Sequence, residues 1–330
     1  MRIGCLGAAR IAPPALIHPA HVRGGTTLQA VAARDTSRAE VFSGRHGFAR
    51  AEADYAALIA APDIDLIYNA LPIHLHASWS IKALEAGKHV LCEKPFAMNA
   101  DEAAAVIDAA SSAGKRVVEA FHYRYHPGFK QLLAWIDAGA IGRVTAINGA
   151  FNVPIPDRDG TEIRHLPETG GGAFMDLGCY PLSWTLMVMG AAPAKVEAIA
   201  TLTARGVDES IKTRLTFEHG VDAEIEASMA PGQGFVAIFT VTGETGEISF
   251  QNPLAPHMGS NLTLTAGGRT ETARVSRIST YTYQLDAVID ALETGAALPT
   301  EGVAILRQQQ TLDAIYQAAG LRHLRYRPTA

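Results

Sequence analysis

The sequence predicts an α/β fold in which a doubly wound parallel sheet is followed by a second α/β domain with a large, mostly antiparallel open sheet. Over roughly the first 120 residues, short apolar runs alternate with amphipathic stretches, which is typical of parallel strands joined by helices. After about residue 121 long runs of period-two hydrophobicity take over, as in antiparallel strands. We therefore expect two domains, at residues 1–121 and 122–330.

The first domain contains five runs that we predict to be strands of the parallel sheet. They are Arg2–Gly7, Leu28–Arg34, Asp65–Ala70, His89–Cys92 and Arg116–Ala120. Helices are predicted between them, because capping boxes begin at Ser37 and at Asn99, each with a glutamate three residues later.

The second domain is predicted to contain long strands and two closing helices. The strands are Arg143–Val153, Lys195–Ala204, Ser210–Glu218, Asp222–Met229, Gly234–Thr242, Glu247–Phe250 and Leu262–Thr265. The helices are Thr282–Glu293 and Val303–Ala319. The polar stretch 154–166, which contains proline, is predicted to be a loop over a site.

Composition excludes several classes of protein. The chain has 330 residues, 48% of them hydrophobic and 18% charged, which is ordinary for a globular protein with more than one core. It has no apolar stretch near the ~20 residues of a membrane helix and no signal-cleavage pattern, so we expect a cytoplasmic protein that does not enter membranes. A net charge of -5 predicts no general affinity for nucleic acid. The three cysteines form no metal-ligand spacing, and we expect neither a metal site nor a disulfide.

A turn of small residues follows the first predicted strand and precedes a helix. Gly7 permits the tight turn, Ala9 lets the backbone approach a diphosphate, and Ala12 allows close packing of helix on strand. The pattern predicts a dinucleotide site, although such a turn is also a common structural connection. The residues predicted around the diphosphate are Gly7, Ala8, Ala9, Arg10 and Ile11.

The end of the second predicted strand indicates which dinucleotide binds. An acidic residue that holds the ribose hydroxyls of NAD is usual there, whereas this chain has Ala33 and Arg34. A guanidinium suits a 2'-phosphate, and Ser37 and Arg38 open the next helix nearby. We therefore predict NADP as the cofactor. The alternative is that these residues are solvated surface charges.

Polar residues also follow the third and fourth predicted strands, at the carboxyl edge where open α/β sheets bind ligands. Those predicted to border the cofactor are Asn69, Leu71, Pro72, His76, Glu93 and Lys94. A histidine at such a place is as often a satisfied structural donor as a catalyst, so both interpretations of His76 stay open. His122, His126 and His165 are given no role, and the cysteines are interpreted as packing residues.

A glycine-rich segment, residues 170–172, opens the long apolar helix of the second domain. On this helix Asp176 and Tyr180 are four residues apart and share one face. A carboxylate and a phenol on an otherwise apolar helix indicate a site. Polar packing at the domain junction is the alternative for Asp176.

Taken together, these motifs resemble the Gfo/Idh/MocA oxidoreductases in order and spacing over nearly the whole chain. The segments that carry the resemblance are Gly7-x-Ala9-x-x-Ala12, Ala32-Ala33-Arg34-Asp35, Glu93-Lys94-Pro95, Glu119-Ala120 with Arg124 and Pro127, and Gly170-Gly171-Gly172 with Asp176-x-Gly178-x-Tyr180. Tyr180 replaces the usual histidine of the last motif. This departure favours the branch of dimeric dihydrodiol dehydrogenase and NADP-dependent aldose (D-xylose) dehydrogenases over inositol dehydrogenases.

The resemblance implies a role for each residue of the site. Tyr180 is the acid/base, and because an unperturbed tyrosine has a pKa near ~10, the Lys94 ammonium is needed to stabilise its phenolate. Asp176 positions the substrate, and Pro95 keeps Lys94 extended, whether or not its bond is cis. Arg124 and Arg164 border the nicotinamide and substrate, or else bridge the domains.

We therefore predict an NADP(H)-dependent dehydrogenase or reductase of CH–OH groups. Its substrate is predicted to be a sugar or sugar-like molecule: an aldose, a keto-sugar or a cyclic diol. We also expect a homodimer or higher homo-oligomer formed through the C-terminal sheet. The main alternative is a non-catalytic regulator that binds NAD(P). A Rossmann-type methyltransferase is disfavoured, because methyl transfer requires neither the Lys94–Tyr180 pair nor Arg34.

Overall fold

A computed structural model describes residues 1–326 of the chain. It divides into two compact units, each described here by itself. The first consists of Met1–His122 and Tyr281–Leu306; the second consists of Tyr123–Thr280 and the chain from Arg307. The predicted limits, 1–121 and 122–330, stay a prediction about the division of function.

The segment Tyr281–Leu306 belongs to the first unit because polar contacts tie it there. The Arg116 guanidinium donates from Nη1 to Ala291 O at 2.6 Å and from Nη2 to Glu301 Oε1 at 2.8 Å. Glu119 N donates to Thr300 O at 2.9 Å. These contacts join residues far apart in sequence, which explains why periodicity alone did not reveal them.

The strands form two sheets. They are β1 (Arg2–Leu6), β2 (Thr27–Ala32), β3 (Arg50–Ala51), β4 (Leu66–Asn69), β5 (His89–Cys92), β6 (Val117–Glu119), β7 (Val144–Asn152), β8 (Lys195–Leu202), β9 (Asp208–Thr216), β10 (Asp222–Ser228), β11 (Val236–Gly243), β12 (Gly246–Gln251), β13 (Asn261–Ala266) and β14 (Arg269–Thr272). Each predicted strand is present, with its ends shifted by at most two residues.

The first sheet is entirely parallel, with the order β3-β2-β1-β4-β5-β6. Since the chain winds one way from β1 to β3 and the other way from β4 to β6, the order reverses between β1 and β4. Ligands of such sheets bind at that reversal, outside the carboxyl ends of the strands. The predicted doubly wound sheet is confirmed.

The helices are α1 (His18–Arg23), α2 (Thr36–His46), α3 (Tyr55–Ala60), α4 (His76–Glu85), α5 (Ala100–Ala113), α6 (Pro127–Asp137), α7 (Cys179–Met189), α8 (Thr280–Thr294) and α9 (Val303–Ala318). A π-helical turn precedes α1 at Pro13–Ile17, and another precedes α7 at Phe174–Gly178. None of the helices within residues 1–326 has the length and apolar character needed to cross a membrane.

One predicted helix cap is confirmed and the other is wrong. Asn99 caps α5, since its side chain accepts from Glu102 N at 2.9 Å. At α2 the cap is Asp35 rather than Ser37, because the Asp35 carboxylate accepts from Arg38 N at 2.7 Å and from Ser37 Oγ at 2.8 Å. Asp35 takes the cap because its Oδ1 accepts from the free amide of Arg38 and from the Ser37 hydroxyl at once.

The second sheet has the order β14-β13-β12-β11-β7-β10-β9-β8. Only its β7–β10 pair is parallel, so the predicted mostly antiparallel sheet is confirmed. One face packs on aromatic side chains, where Trp184 lies 5.6 Å from Phe239 and Phe129 lies 5.4 Å from Phe250, measured between ring centroids. Burying such a side chain stabilises a fold by about 1.5–3 kcal/mol.

The opposite face of this sheet is polar. Lys212 pairs with Glu226 at 3.2 Å, and Arg214 pairs with Glu224 at 2.7 Å. Both pairs lie across neighbouring strands, β9 and β10, and the basic side chains are exposed. In the part of the chain that the structure describes, residues 1–326, the sheet is therefore open at these positions.

Candidate active site

The turn after β1 has a shape that only glycine allows. Gly7 has a φ of 99°, and its amide donates to Ala32 O at 2.9 Å. A Cβ at this position would lie 3.1 Å from Ala70 O and 3.3 Å from Leu71 Cδ2. Ala12 is fully buried, whereas Arg10 is exposed. The turn thus leaves backbone accessible at the carboxyl edge of the sheet, where the strand order reverses.

Two arginines lie at the edge of this turn. Arg34 follows the buried Ala33 and is exposed, and Arg38 Nη2 donates to Ala8 O at 3.1 Å. The carboxylate between them, Asp35, is engaged by the start of α2, and those hydrogen bonds lower the pKa of Asp35. The predicted phosphate-binding hydroxyl, Ser37, donates to the same carboxylate.

The side chain of Asn69 shapes the turn after β4. It donates from Nδ2 to His76 O and to Ser80 Oγ, each at 3.1 Å, and its Oδ1 accepts from Leu71 N at 3.3 Å. Asn69 is fully buried. Its side chain therefore holds the turn, and the predicted contact of Leu71 and Pro72 with a cofactor stays a prediction.

His76 lies inside the first unit. Its side chain is 1% exposed, with Nε2 2.7 Å from Leu71 O and Nδ1 2.9 Å from Pro95 O. Burial lowers the pKa of His76 to about 4. Of the two interpretations, structural donor or catalyst, these contacts favour the structural donor, and the predicted place of His76 at the cofactor edge stays a prediction.

The segment after β5 presents one half-buried cation between buried neighbours. Glu93 accepts from Tyr68 Oη at 2.6 Å, and Lys94 N donates to Glu93 Oε2 at 3.3 Å. Lys94 is half-buried, Glu93 and Pro95 are buried, and the Lys94–Pro95 bond is cis. Glu93, predicted to border the cofactor, directs its carboxylate to the core of the first unit. Burial and the Glu93 charge raise the pKa of Tyr68.

Sequence reasoning gave Glu119 no role, yet it contacts this segment. Its Oε1 accepts from Phe96 N at 3.0 Å, and the side chain is 2% exposed. Burial raises the pKa of Glu119 to about 8. The sequence places Glu119 in the Glu119-Ala120 segment of the family resemblance, but glutamate at the end of a short β-branched strand gives no indication of which group it contacts.

In the second unit, a buried carboxylate holds the start of the π-helical turn that leads into α7. Asp208 accepts from Phe174 N at 2.7 Å and from Tyr316 Oη at 2.8 Å. Gly172, with a φ of 133°, passes so close that a Cβ there would collide with Asp208 Oδ1. Asp208 is fully buried, and burial raises its pKa to about 7. Sequence analysis missed Asp208.

Asp176 and Arg164, each predicted to bind substrate, are bonded to one another. Arg164 Nε donates to Asp176 Oδ2 at 2.6 Å, and Arg164 Nη1 donates to Glu162 Oε1 at 2.9 Å. The Asp176 charge raises the pKa of Arg164. This pair ties the predicted loop at 154–166, which has no strand, to the start of the helix.

Tyr180 is packed among aromatic rings in the first turn of α7. Its ring centroid lies 5.7 Å from that of Phe151, edge-on, and 6.2 Å from that of Tyr123. Its side chain is 6% exposed. Tyr123, which sequence reasoning missed, donates from Oη to Ser183 Oγ at 2.6 Å. An apolar surround of this kind holds a phenol in one orientation.

The remaining polar candidates have local partners. Burial lowers the pKa of Arg124. His122 stacks on Tyr281 with ring centroids 4.0 Å apart, His126 Nδ1 accepts from Gly128 N at 3.0 Å, and His165 Nε2 lies 2.6 Å from Ile155 O. All three cysteines are buried thiols. Within residues 1–326 there is no group of three His, Cys, Asp or Glu side chains arranged to hold a metal.

A glycine turn at the reversal point of a parallel sheet, followed by a second unit built on an open sheet, defines a two-domain dinucleotide oxidoreductase. The chain belongs to the Gfo/Idh/MocA family. Residues 1–121 match its oxidoreductase domain with an NAD-binding Rossmann fold, and residues 129–249 match its C-terminal domain. The resemblance inferred from the motifs is confirmed.

Relatives of similar length cover almost the whole chain. The D-xylose 1-dehydrogenase (NADP(+)) 2 of Haloferax volcanii is 34% identical, over 97% of this chain and 97% of its own. The dTDP-3,4-didehydro-2,6-dideoxy-alpha-D-glucose 3-reductase of Streptomyces violaceoruber is 30% identical, over 97% and 96%. A 3-ketoreductase from Actinomadura kijaniata, crystallised with NADP and TDP-benzene, superposes with a TM-score of 0.89 at 27% identity, over 96% and 97%.

Proposed function

We propose that this chain is an NADP-dependent oxidoreductase that moves a hydride between nicotinamide and the hydroxyl-bearing or carbonyl carbon of a sugar or sugar-like molecule. The observation that carries the proposal is the pair Arg34 and Arg38 beside the Gly7 turn. Asp35, the carboxylate that would compete for the ribose hydroxyls, is occupied by the cap of α2. The xylose dehydrogenase and the ketoreductase named above support the same cofactor and substrate class.

The residues present fit NADP. Gly7 keeps the turn free of a side chain where a diphosphate must approach the backbone. The planar guanidinium groups of Arg34 and Arg38 suit a phosphate ester, which accepts two parallel hydrogen bonds from one arginine. When bound, the nicotinamide accepts or supplies the hydride.

Transfer of the hydroxyl proton is proposed to involve Tyr180 and Lys94. Oxidation of a carbinol releases a hydride and the hydroxyl proton, leaving a carbonyl; in the proposal Tyr180 takes that proton and returns it in the reverse direction. Lys94 favours the phenolate, because a positive charge lowers the pKa of a nearby phenol. Both assignments rest on residue chemistry and the family resemblance.

Asp176 and Arg164 are proposed to position the substrate. Because Arg164 Nε lies 2.6 Å from Asp176 Oδ2, the two side chains hold each other in a fixed direction. Neighbouring hydroxyls of a sugar both donate and accept hydrogen bonds, so a carboxylate beside a guanidinium complements them. Arg124 and Glu93 remain proposed contributors around the cofactor.

The open face of the second sheet is proposed to form a homodimer. Cross-strand pairs such as Lys212 with Glu226 leave a flat, charged face that a second copy can match through symmetry. Light scattering coupled to size-exclusion chromatography measures the mass directly, and a mass that stays monomeric as the protein is concentrated would reject this part of the proposal. The cytoplasmic location also stays a prediction.

The central experiment is a fluorescence titration with NADPH and NADH, followed by turnover on a panel of aldoses and keto-sugars. We expect tighter binding of NADPH, and Arg34→Ala should weaken NADPH binding by about 10-fold or more while leaving NADH unchanged. Arg45→Ala, which removes an exposed arginine from the last turn of α2, the helix that follows Arg34, is the matched control. Preference for NADH, or an unchanged affinity in Arg34→Ala, would refute the cofactor assignment.

A further inference from the structure

The Pro95–Phe96 peptide, which begins one residue after Lys94, is contacted at both its carbonyl and its amide by buried side chains. His76, at the start of α4, places Nδ1 2.9 Å from Pro95 O. Glu119, at the end of β6, accepts from Phe96 N at 3.0 Å. The carbonyl of Pro95 and the amide of Phe96 belong to the same peptide plane. Glu119 engages its donor, and the His76 tautomer with its proton on Nδ1 engages its acceptor.

We propose that His76 and Glu119 are positioning residues that fix the Lys94 side chain, because they hold the Pro95–Phe96 peptide through its carbonyl oxygen and its amide. The proposal rests on the proposed function, in which Lys94 assists proton transfer. It assigns neither residue a contact with substrate or cofactor.

The backbone of Pro95 and Phe96 has little conformational freedom left. The ring of Pro95 fixes its own φ. Glu119 accepts from Phe96 N, and neutral His76 donates to Pro95 O in the tautomer that carries its proton on Nδ1, so contacts on both ends of the next peptide oppose its rotation. Phe96 is 1% exposed, so its side chain anchors the far end of the segment. In this proposal, His76 and Glu119 fix the backbone that follows Lys94, and this backbone sets the direction in which the long, half-buried Lys94 side chain extends.

His76 also joins this segment to the turn after β4. Its Nε2 lies 2.7 Å from Leu71 O, in the turn that follows the carboxyl end of the neighbouring strand. The imidazole of His76 therefore lies between the Leu71 turn and the Pro95 segment and contacts both. A rigid spacer between two loops at the carboxyl edge is what a precisely placed lysine requires, because an error of about 1 Å in position can cost 100-fold in rate.

The charged groups that face Glu119 are Glu93 and Lys94. Glu119 accepts the Phe96 hydrogen bond whether or not it is ionised, because a protonated carboxyl keeps one carbonyl oxygen. Its hydrogen-bond acceptor, rather than its charge, therefore does the positioning. This distinction makes the role testable by isosteric replacement.

The first pair of variants is Glu119→Leu and Glu119→Gln. Glu119→Leu removes the acceptor, and we expect kcat to fall by about 10- to 100-fold with a rise in the apparent pKa of the kcat–pH profile, since the Lys94 cation no longer acts fully on the phenol. NADPH affinity should change by less than about threefold. Glu119→Gln keeps the acceptor, and it should restore both kcat and the pH profile to near the values of the unmodified enzyme.

The second pair of variants, His76→Asn and His76→Gln, tests the two contacts of His76 separately. The amide of asparagine replaces Nδ1, so His76→Asn keeps the contact to Pro95 O. The amide of glutamine replaces Nε2, so His76→Gln keeps only the contact to Leu71 O. We expect the shifted pH profile in His76→Gln and not in His76→Asn.

Lys88→Leu is the matched control for general loss of structure. Lys88 is 7% exposed, and its Nζ donates to Ala61 O at 2.7 Å and to Ile64 O at 2.8 Å, just before the amino end of β5. It should lower Tm as much as Glu119→Leu does, without moving the pH profile. Equal pH profiles in Glu119→Leu and Lys88→Leu, or failure of Glu119→Gln to rescue, would overturn the proposal.

Lys94→Met separates this inference from the proposed function. If Lys94→Met leaves kcat and its pH dependence unchanged, then the role proposed for Lys94 is wrong and the inference falls with it. If Lys94→Met lowers kcat and shifts the profile while Glu119→Leu and His76→Gln do neither, then only the positioning proposal fails.

Discussion

Replacing Asp208 by asparagine should change how the stability of the protein depends on pH. Burial raises the pKa of Asp208 from 3.8 to about 7, so the folded protein keeps a proton that the unfolded chain releases above about pH 4. A raised pKa contributes stability fully below pH 4, and that contribution is lost as pH rises through 7. At about 1.4 kcal/mol for each pH unit between the two values, the loss amounts to about 4 kcal/mol.

The amide introduced by Asp208→Asn cannot ionise, but it can still accept from Phe174 N and donate to Tyr316 Oη. The variant should therefore gain stability relative to the unmodified protein as pH rises from 5 to 8. About 2.7 kcal/mol of the loss falls between pH 5 and 7. For a unit of this size about 2–4 °C of Tm corresponds to each kcal/mol, so the difference in Tm between the two proteins should move by roughly 5–10 °C across the window. Thermal unfolding followed by near-ultraviolet circular dichroism measures this.

Tyr316→Phe provides an opposite perturbation at the same carboxyl. It removes a hydrogen bond of 2.8 Å that lowers the pKa of Asp208, so the window of falling stability should extend to higher pH. Parallel curves of Tm against pH for the unmodified protein and Asp208→Asn would show that the Asp208 carboxyl does not carry a proton in the folded state, and the argument from burial would be wrong.

Three further changes test the site. Tyr180→Phe should lower kcat by about 100- to 10,000-fold with NADPH binding nearly unchanged, measured by stopped-flow absorbance and fluorescence titration; retained turnover would remove Tyr180 as the acid/base. Arg164→Met should raise the KM for sugars and leave the KM for NADPH unchanged in steady-state assays, because it breaks the 2.6 Å pair with Asp176; an unchanged sugar KM would contradict this. Gly172→Ala should prevent normal folding, since its Cβ would collide with the Asp208 carboxylate, and a native Tm would refute the close approach.

Most of the fold could be predicted because it depends on local periodicity. The missed strands are β3, which has only two residues, and β14, whose four side chains are all exposed and carry no apolar alternation. The return of Tyr281–Leu306 to the first unit depends on the Arg116 contacts with Ala291 and Glu301, and such long-range polar pairing has no local sequence signature. Which residue caps a helix likewise depends on which nearby side chain reaches the free backbone amides. At α2 that residue is Asp35 and not Ser37.

The site was predictable where chemistry coincides with a motif. Glycine at residue 7 and the cation at residue 34 follow from what a dinucleotide requires, and the pairing of Asp176 with Arg164 brings together two residues that the resemblance suggested separately. His76 and Glu93 are predicted to border the cofactor, and this stays a prediction; the structure shows that their side chains contact Leu71 O and Tyr68 Oη inside the first unit. A sequence motif identifies residues that belong together, but it does not say which of them faces the ligand.

Two carboxyls whose roles were not predicted from the sequence, Glu119 and Asp208, have similar positions relative to the proposed site residues of their own units. Glu119 accepts from the amide two residues after Lys94, and Asp208 accepts from the amide two residues before Asp176. Both are buried, and burial raises the pKa of each to near or above neutrality. A buried carboxyl is a costly way to satisfy one amide, so its use beside each proposed catalytic segment indicates that position matters there more than stability. The same cost predicts that stability falls as pH rises from about 4 to about 8, because over this range the unfolded chain releases the two protons that the folded protein still holds.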